Sequence, residues 1–343
     1  MKSDKKKICL IGWYGKGGVG DDIIADCIKR ASIAKASEKG IDIEFVKKID
    51  ESDLILIGGG SLLGFDCLNL GKKLKKVNKP IVILGAGYRR EKRALDEKNA
   101  YVFKKIISRA SLVGVRGYVS KQMLLQNRII NNEEVEVIGD PAFLFDPISG
   151  KDFGEKFRIG MVVRNANRLE PQYVNNKLIH KKFAELGDYL VRRFKAKLYF
   201  FSFIENIFES DTKGARKTLK MMTSSRQAEI MNRIADPRKL GSMMGEMNLV
   251  VSQRLHPCLL AWLQGVPSIG FDYQFNKTID VMNSIGMDEF VIRTDELSLN
   301  SYKKKLDRLI EDREIIISQA KISIKYWREK LLDFIKRTLE IIT

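Results

Sequence analysis

The sequence is poor in the residues that build metal and disulfide frameworks. It has 4 cysteines and 2 histidines in 343 residues. The cysteines are Cys9, Cys27, Cys67 and Cys258, and none of them forms a C-x-x-C pair. Zinc sites and disulfide networks need closer or patterned spacing, so we expect reduced, mostly buried thiols and no bound metal.

Long apolar runs are also missing. No run approaches the roughly 18 residues that span a membrane as a helix. The apolar stretch after Lys7 is interrupted by Gly12 and lacks a signal-peptide cleavage site. With 7 prolines and 44% hydrophobic residues, the composition is that of a globular chain and not of a disordered one. We therefore expect a cytoplasmic protein.

Charge is the feature that the sequence has in excess. Lys and Arg total 61 against 43 Asp and Glu, which gives a net charge of +18. The basic residues are spread along the chain, and no RNA-module or zinc-finger pattern accompanies them. This distribution argues against a specific nucleic-acid partner but is compatible with peripheral contact to an anionic membrane at its inner face.

One pattern recurs along the chain: a short apolar run, then a glycine-rich or cationic segment, and then a helical pattern. The runs that predict strands cover residues 7–13, 41–46, 53–57, 80–84, 112–115, 135–138, 157–163, 197–203, 249–251 and 266–273. This alternation of strands and helices is typical of doubly wound parallel α/β domains. A polar segment at 146–157 interrupts this pattern, so we predict a first domain at 1–150 and a second at 151–343. The second domain ends in C-terminal helices, because 301–342 is a long, charged segment with a helical pattern.

Cations lie at or a few residues beyond the ends of several of these strands. Arg254 and His256 come after the run at 249–251, Lys277 after the next, and Arg116 and Arg164 after two others. In open α/β sheets, ligands gather at the carboxyl ends of strands, near helix N-termini. Convergence of cations there predicts an anionic ligand such as a phosphate or a carboxylate.

The first glycine-rich turn allows two interpretations. Its Gly15, Gly17 and Gly20 match the dinucleotide fingerprint G-x-G-x-x-G. However, Asp21 follows where a phosphate loop would need a cation, and its carboxylate repels phosphate. Asp21 either caps the following helix or faces a ligand to hold or deprotonate a hydroxyl group.

The glycine run at 58–60 fits a tight turn or a close approach of the backbone to a ligand. His180, in a polar helical stretch, is expected to be solvated.

Taken in order, these motifs resemble the polysaccharide pyruvyl transferase family. The matching segments are 12–15 with 20–22, 58–63, 114–116 with 120, 140–143, 160–164, 254–256 and 272–277. The resemblance implies a GT-B-like fold with two facing Rossmann-like domains and a cleft between them. It also implies transfer of the enolpyruvyl carbons of phosphoenolpyruvate to a sugar diol, which yields a pyruvate ketal and free phosphate, with no cofactor.

The resemblance assigns roles to individual residues. Those on the phosphoenolpyruvate side are Arg254, Leu255 through its backbone, His256, Lys277 and Arg164. Those on the acceptor side are Arg116, Asp21, Gly59 and Gly60. In this assignment the catalytic pair is His256, a general acid for the departing phosphate, and Asp21, a base for the sugar hydroxyl.

The sequence departs from the family pattern on the acceptor side. Gly117 stands where the family usually has an acidic residue, and the tip at 85–87 continues as Tyr88, Arg89 and Arg90. With Arg93, these cations suit an anionic acceptor such as a lipid pyrophosphate-linked glycan. Three alternatives stay open: a nucleotide-sugar glycosyltransferase of the same architecture, a dinucleotide enzyme, and a non-catalytic protein that binds a polyanion or glycan.

Overall fold

The computed structural model describes residues 5–63, 67–75, 77–88, 97–131, 135–148, 154, 156–165, 176–273, 277–293, 296 and 298–343. The chain forms two compact units. Unit 1 comprises the described parts of 1–14, 21–145 and 325–343, and unit 2 comprises those of 15–20 and 146–324. The cations predicted for the acceptor, Arg89, Arg90 and Arg93, lie outside the described residues.

Unit 1 is built on one parallel sheet. Its strands are β1 (Lys6–Ile11), β2 (Ile43–Val46), β3 (Leu54–Gly58), β4 (Ile81–Ala86), β5 (Ala110–Val115) and β6 (Glu136–Val137). They pair in the order β2-β1-β3-β4-β5-β6, and every pairing is parallel. The central strands β3 and β4 are buried along their whole length, which explains their unbroken aliphatic sequence.

Helices follow the strands of this unit along its described residues. They are α1 (Val19–Glu38), α2 (Cys67–Leu74), α3 (Glu97–Ile107) and α4 (Tyr118–Gln126). Helix α1 carries Asp21 and Asp22 in its first turn and Lys35 in its last turn, an arrangement that the helix dipole favours.

Unit 2 repeats the architecture with a second parallel sheet. Its strands are β7 (Arg158–Val162), β8 (Lys197–Phe200), β9 (Ala228–Ile230), β10 (Leu249–Ser252), β11 (Ser268–Asp272) and β12 (Val291–Arg293). They pair in the order β12-β11-β10-β7-β8-β9. Its helices are α5 (Asn176–Phe194), α6 (Asp211–Leu219), α7 (Pro237–Ser242), α8 (Leu255–Leu263), α9 (Lys277–Ser284), α10 (Leu299–Glu311) and the start of α11 (Arg313–Glu340), which continues into unit 1 from residue 325.

Each sheet contains a point at which the strand order reverses. In unit 1 the chain moves outward from β1 to β2 and then continues on the other side of β1 with β3. In unit 2 it runs from β7 through β8 to β9 and returns with β10 on the other side of β7. The carboxyl ends of the strands diverge at such switch points and leave a crevice for a ligand.

The predicted fold class is confirmed: both halves are Rossmann-like, with helices flanking a parallel sheet. Two short strands, β9 and β12, are not among the predicted ones. The segment predicted to be helical at 301–342 forms two helices, α10 and α11, which are separated at Asp312. Residues 325–343 pack with unit 1, although the predicted boundary assigned them to the second domain. Within the described ranges, no helix combines the length and the apolar character needed to cross a membrane.

Candidate functional site

The switch point of unit 2 brings together residues that are far apart in the sequence. Arg164 follows β7 and Arg254 follows β10, the neighbouring strand. The amide of Arg164 donates to the side chain of Gln253 at 2.8 Å, which links the two strand ends directly. Tyr273 follows β11, and its hydroxyl accepts from Arg254 Nη1 at 2.9 Å. The sheet order therefore produces the predicted convergence of Arg164 and Arg254.

Two carboxylates that the sequence does not mark as functional complete this group. Asp211 Oδ1 accepts from Arg254 Nε and Nη2 at 3.1 and 2.8 Å. Glu209 lies between the two guanidinium groups, with Oε1 at 2.6 Å from Arg164 Nη2 and Oε2 at 2.6 Å from Arg254 Nη1. The Arg164 guanidinium also stacks on the Tyr273 ring, 4.3 Å from its centroid. These five residues are called the arginine cluster below.

The buried partners keep the arginine cluster ionised. Burial alone would lower the pKa of Arg254, but its electrostatic interactions with Asp211, Tyr273 and Glu209 raise it well above its ordinary value. Burial raises the pKa of Asp211, whereas Arg254 opposes this effect. Two backbone amides also donate to Asp211 Oδ2, at 3.0 and 2.9 Å. Four N–H donors on one carboxyl are the pattern of an ionised group, so Asp211 is the anionic partner of Arg254.

Glu209 is ionised for a different reason. Burial would raise its pKa, but the neighbouring Arg254 and Arg164 outweigh it and lower the pKa of Glu209 to about 2. Two arginines thus face two carboxylates in the arginine cluster, and its formal charge is balanced.

His256 lies in the first turn of α8, next to this group in sequence. The helix begins at Leu255, with Arg254 as the extended N-cap residue, so the amides of its first turn point toward the strand end. The imidazole is buried against the glycine-rich turn: a Cβ at Gly20 would lie 2.0 Å from His256 Nδ1. Glycine at position 20 therefore makes room for a histidine ring, a role that the dinucleotide fingerprint does not suggest.

The glycine-rich turn is attached to unit 2 by its backbone. The amide of Val19 donates to the carbonyl of Phe203 at 2.8 Å, and that of Glu205 donates to the carbonyl of Gly17 at 3.0 Å. The turn therefore packs on the loop that leads to Glu209 and Asp211. Lys277 starts α9 and is half-buried, and its predicted role stays a prediction.

Unit 1 carries the remaining predicted residues. Gly59 and Gly60 follow β3 at the switch point with φ of 62° and 63°, a left-handed backbone that favours glycine. A Cβ at Gly60 would lie 2.7 Å from Asp21 Oδ1, so the Asp21 carboxylate packs against this turn. Tyr14 donates a hydrogen bond to the carbonyl of Gly58 from the other side. Asp21 and the glycine run thus lie together in unit 1.

Arg116 is buried at the end of β5, and not in a surface ion pair as a lone arginine there most often is. Its guanidinium lies over Gly87, where a Cβ would be 2.5 Å from Arg116 Cζ. Its nearest carboxylate is that of Asp140, with Nη1 3.9 Å from Oδ2. Among the described residues, Nε and Nη1 of Arg116 have no hydrogen-bond acceptor. A buried guanidinium with unused donors is suited to an anionic or hydroxyl-rich ligand.

The departure at Gly117 has a structural counterpart. Gly117 is the N-cap of α4 in an extended conformation, a position that accepts glycine well. Asp140, which is fully buried beyond β6, supplies a carboxylate near Arg116 from another strand end. The amide of Tyr88 donates to Ser120 Oγ at 3.1 Å, which ties the tip after β4 to α4.

The prediction that His180 is solvated is wrong. The side chain is 1% exposed in α5, and its Nε2 lies 3.3 Å from the carbonyl oxygen of Arg164. Burial is the main cause that lowers its pKa. His180 therefore supports the backbone at the arginine cluster. Among the described residues, no group of three His, Cys, Asp or Glu side chains is placed to hold a metal ion.

Comparison with solved structures identifies the fold class. A putative UDP-N-acetylglucosamine 2-epimerase from Listeria monocytogenes has a TM-score of 0.58 at 14% identity, covering 92% of this chain and 91% of its own. A glycosyltransferase from Rickettsia africae has a TM-score of 0.59 at 11% identity, covering 99% and 100%. A UDP-GlcNAc 2-epimerase from Neisseria meningitidis bound to UDP-GlcNAc gives 0.55 at 12%, covering 97% and 99%. The chain thus has the GT-B-like fold of such glycosyltransferases and epimerases.

The family is more specific than the fold. The protein-family sequence model described as polysaccharide pyruvyl transferase matches residues 5–274, which is most of the chain. The chain therefore belongs to the polysaccharide pyruvyl transferase family and is a transferase, as its motifs predicted. The comparison with curated proteins gave no match.

Proposed function

We propose that this enzyme transfers a pyruvyl group from phosphoenolpyruvate to a sugar diol of a cell-surface polysaccharide or of its lipid-linked precursor. The arginine cluster beside His256 is the observation that carries the proposal. Phosphoenolpyruvate has a carboxylate and a phosphate, and two guanidinium groups with a helix N-terminus are the partners that such groups require. Family membership supports the same donor.

The proposed reaction balances without an added cofactor. Two sugar oxygens form bonds to C2 of the enolpyruvyl group, and the bond from C2 to the phosphate oxygen breaks. One hydroxyl proton is transferred to C3, which becomes a methyl group, and the other leaves with the phosphate. In this scheme His256 donates to the departing phosphate oxygen, and Asp21 accepts a proton from a sugar hydroxyl. Arg164, Lys277 and the amide of Leu255 would bind the donor.

The acceptor belongs to the same proposal. Gly59 and Gly60 let the backbone at the switch point of unit 1 approach a sugar closely. The unused donors of the buried Arg116 suit the oxygens of such a ligand. A nucleotide-sugar glycosyltransferase of the same fold is the main competing proposal, since similar chains in the comparison are named for UDP-sugar chemistry.

Calorimetric titration with phosphoenolpyruvate, UDP-GlcNAc and NAD tests these proposals without knowledge of the acceptor. The variant of choice is Arg254→Lys, because it keeps a cation beside the buried Asp211 while removing the planar two-donor fork. The matched control is Arg193→Lys, whose guanidinium pairs with Asp307 in a half-exposed site of the same unit. We expect wild type to bind phosphoenolpyruvate saturably. Arg254→Lys should weaken this binding at least tenfold, since losing the hydrogen bonds of a guanidinium to a charged group costs roughly 1.5–3 kcal/mol. The control should leave the binding unchanged.

Two results would contradict the proposal. Binding of UDP-GlcNAc or NAD without phosphoenolpyruvate binding would favour one of the competing enzymes. Salt-sensitive binding of many polyanions that Arg254→Lys does not change would favour a non-catalytic binding protein.

A further inference from the structure

Glu209 occupies the position between the two guanidinium groups of unit 2. Each carboxylate oxygen is 2.6 Å from one arginine: Oε1 from Arg164 Nη2 and Oε2 from Arg254 Nη1. A bridging carboxylate of this kind has the geometry by which arginine pairs bind the carboxylate or phosphate of a ligand. The protein's own side chain therefore fills the place where an anionic ligand would contact both arginines.

The two carboxylates of the arginine cluster are anchored very differently. Asp211 is 0% exposed, and besides Arg254 it accepts from the amides of Phe203 and Ile204. The Glu209 side chain is 19% exposed. Its loop is closed by Asn206, whose side chain accepts from the amide of Glu209 and whose amide donates to the carbonyl of Glu209. The loop thus keeps its shape through the backbone, independently of the Glu209 carboxylate.

The positions of the charges also distinguish Asp211 from Glu209. Asp211 balances Arg254 from below the surface, and Glu209 balances Arg164 from the solvent side. A phosphate or carboxylate that entered beside Glu209 would meet a neutral group of charges and a nearby carboxylate. It would meet an unbalanced cation only after Glu209 had moved away.

We propose that Glu209 is an internal substitute for the substrate anion: it holds Arg164 and Arg254 in place before binding, and the anionic group of the substrate then displaces it. Glu209 is accordingly a positioning and specificity residue. Weak monovalent anions do not displace it, whereas a ligand with several negative charges does. The identity of that ligand as phosphoenolpyruvate rests on the proposed function above.

The test compares Glu209→Gln with wild type in titrations with phosphoenolpyruvate and, separately, with inorganic phosphate. Glutamine has nearly the same shape; it removes the competing charge and leaves one acceptor oxygen in place of two. We expect Glu209→Gln to bind both anions about tenfold more tightly, since removal of one charge near two guanidinium groups is worth on the order of 1.4 kcal/mol. Glu229→Gln is the matched control: it removes the same charge from a half-exposed pair with Lys197 and should not alter either affinity.

Thermal unfolding gives a second readout. Without anion, Glu209→Gln should melt at a lower temperature than wild type, because two like charges lie close together, and added phosphate should stabilise the variant more than the wild type. Unchanged or weaker phosphoenolpyruvate binding in Glu209→Gln, with wild type still binding it, would overturn this inference and leave the proposed function intact. Tighter phosphate binding without any phosphoenolpyruvate binding would support the inference and overturn the proposed function. Absence of binding of either anion to either protein would overturn both.

Discussion

At the scale of single residues, Asp211 shows how Arg254, at the end of β10, stays charged although it is buried. Its carboxylate is fully buried and is the partner of Arg254 and of two amides. Replacing it by asparagine leaves the Arg254 charge without its buried partner. Removal of one member of a buried pair costs about 3–5 kcal/mol, so we predict a loss of about 3 kcal/mol in the free energy of unfolding for Asp211→Asn.

Urea denaturation measures this loss. Glu229→Gln is again a suitable control, because half-exposed pairs contribute about 0.5 kcal/mol or less. Equal stabilities of the two variants would show that Asp211 contributes no more than a surface carboxylate.

A second residue, His180, makes stability depend on pH. Burial lowers its pKa below the 6.5 of an ordinary histidine, and Lys217 adds to the shift, while the carbonyl of Arg164 opposes it. The unfolded chain therefore binds more protons than the folded one as pH falls below 6.5. We predict that this contribution to stability is fully present above that pH and is lost as the pH falls toward the folded-state pKa.

The measurement is urea denaturation of wild type and His180→Gln at about pH 7.5 and about pH 5.5, on either side of the ordinary histidine pKa. Glutamine keeps a donor for the carbonyl but does not titrate, so the variant should lose less stability between the two conditions. A variant with the wild-type pH dependence would exclude His180 as its source.

Some residues of the candidate site could be predicted from the sequence, and others could not. Arg164 and Arg254 could be predicted, because Arg164 directly follows an apolar run and Arg254 lies three positions after another. Glu209 and Asp211 could not, since 43 residues separate Asp211 from Arg254 and only the strand order places their loop beside both arginines. The burial of His180 was missed although the sequence contains a signal for it: Phe183 and Ala184, three and four residues further along α5, share its face, and that face lies under the end of β7.

At the scale of secondary-structure elements, the start of α8 depends on a glycine in another helix. Alanine is normally better than glycine inside a helix by roughly 1 kcal/mol. At Gly20 in α1, however, a Cβ would lie 2.0 Å from His256 Nδ1. We predict that Gly20→Ala costs about 2 kcal/mol in stability, the usual effect of overpacking, and displaces the imidazole.

A double-mutant cycle separates this clash from any local effect on α1. In a His256→Ala background the ring is absent, so Gly20→Ala should have little effect or stabilise the protein. If Gly20→Ala were equally destabilising in both backgrounds, contact with the His256 ring would not be the cause.

Elements with a strong pattern were predicted well, and weak ones were not. Strands β3, β4, β7 and β10 are buried apolar runs, and each lies within about two residues of its predicted position. Strands β9 and β12 have three residues each, too few for a periodic signal. The break between α10 and α11 at Asp312 interrupts a charged helical pattern that has neither proline nor glycine to mark it.

At the scale of the whole molecule, the division into units does not follow the order of the chain. The final part of α11 packs in unit 1: Trp327 stacks on Phe143 at 6.4 Å, and Arg337 pairs with Glu136 through two contacts of 2.8 Å. A domain boundary inferred from a polar linker assumes that each domain is continuous in sequence. Because that assumption fails for residues 325–343, no composition-based boundary could have assigned them to unit 1.

Phe334 provides the test of this assignment. The ring is fully buried in unit 1 and faces Gly114 of β5, where a Cβ would lie 3.0 Å from Phe334 Cε2. We predict that Phe334→Ala lowers the free energy of unfolding by about 4 kcal/mol, whereas Phe334→Leu costs about 1.5 kcal/mol because it retains most of the volume.

Hydrogen exchange followed by mass spectrometry locates the effect. Amides of β1, β3, β4 and β5 should exchange faster in Phe334→Ala, while those of β7, β8 and β10 keep their wild-type protection. Faster exchange confined to the strands of unit 2 would instead place the end of the chain with the second sheet, as the linear domain boundary assumed.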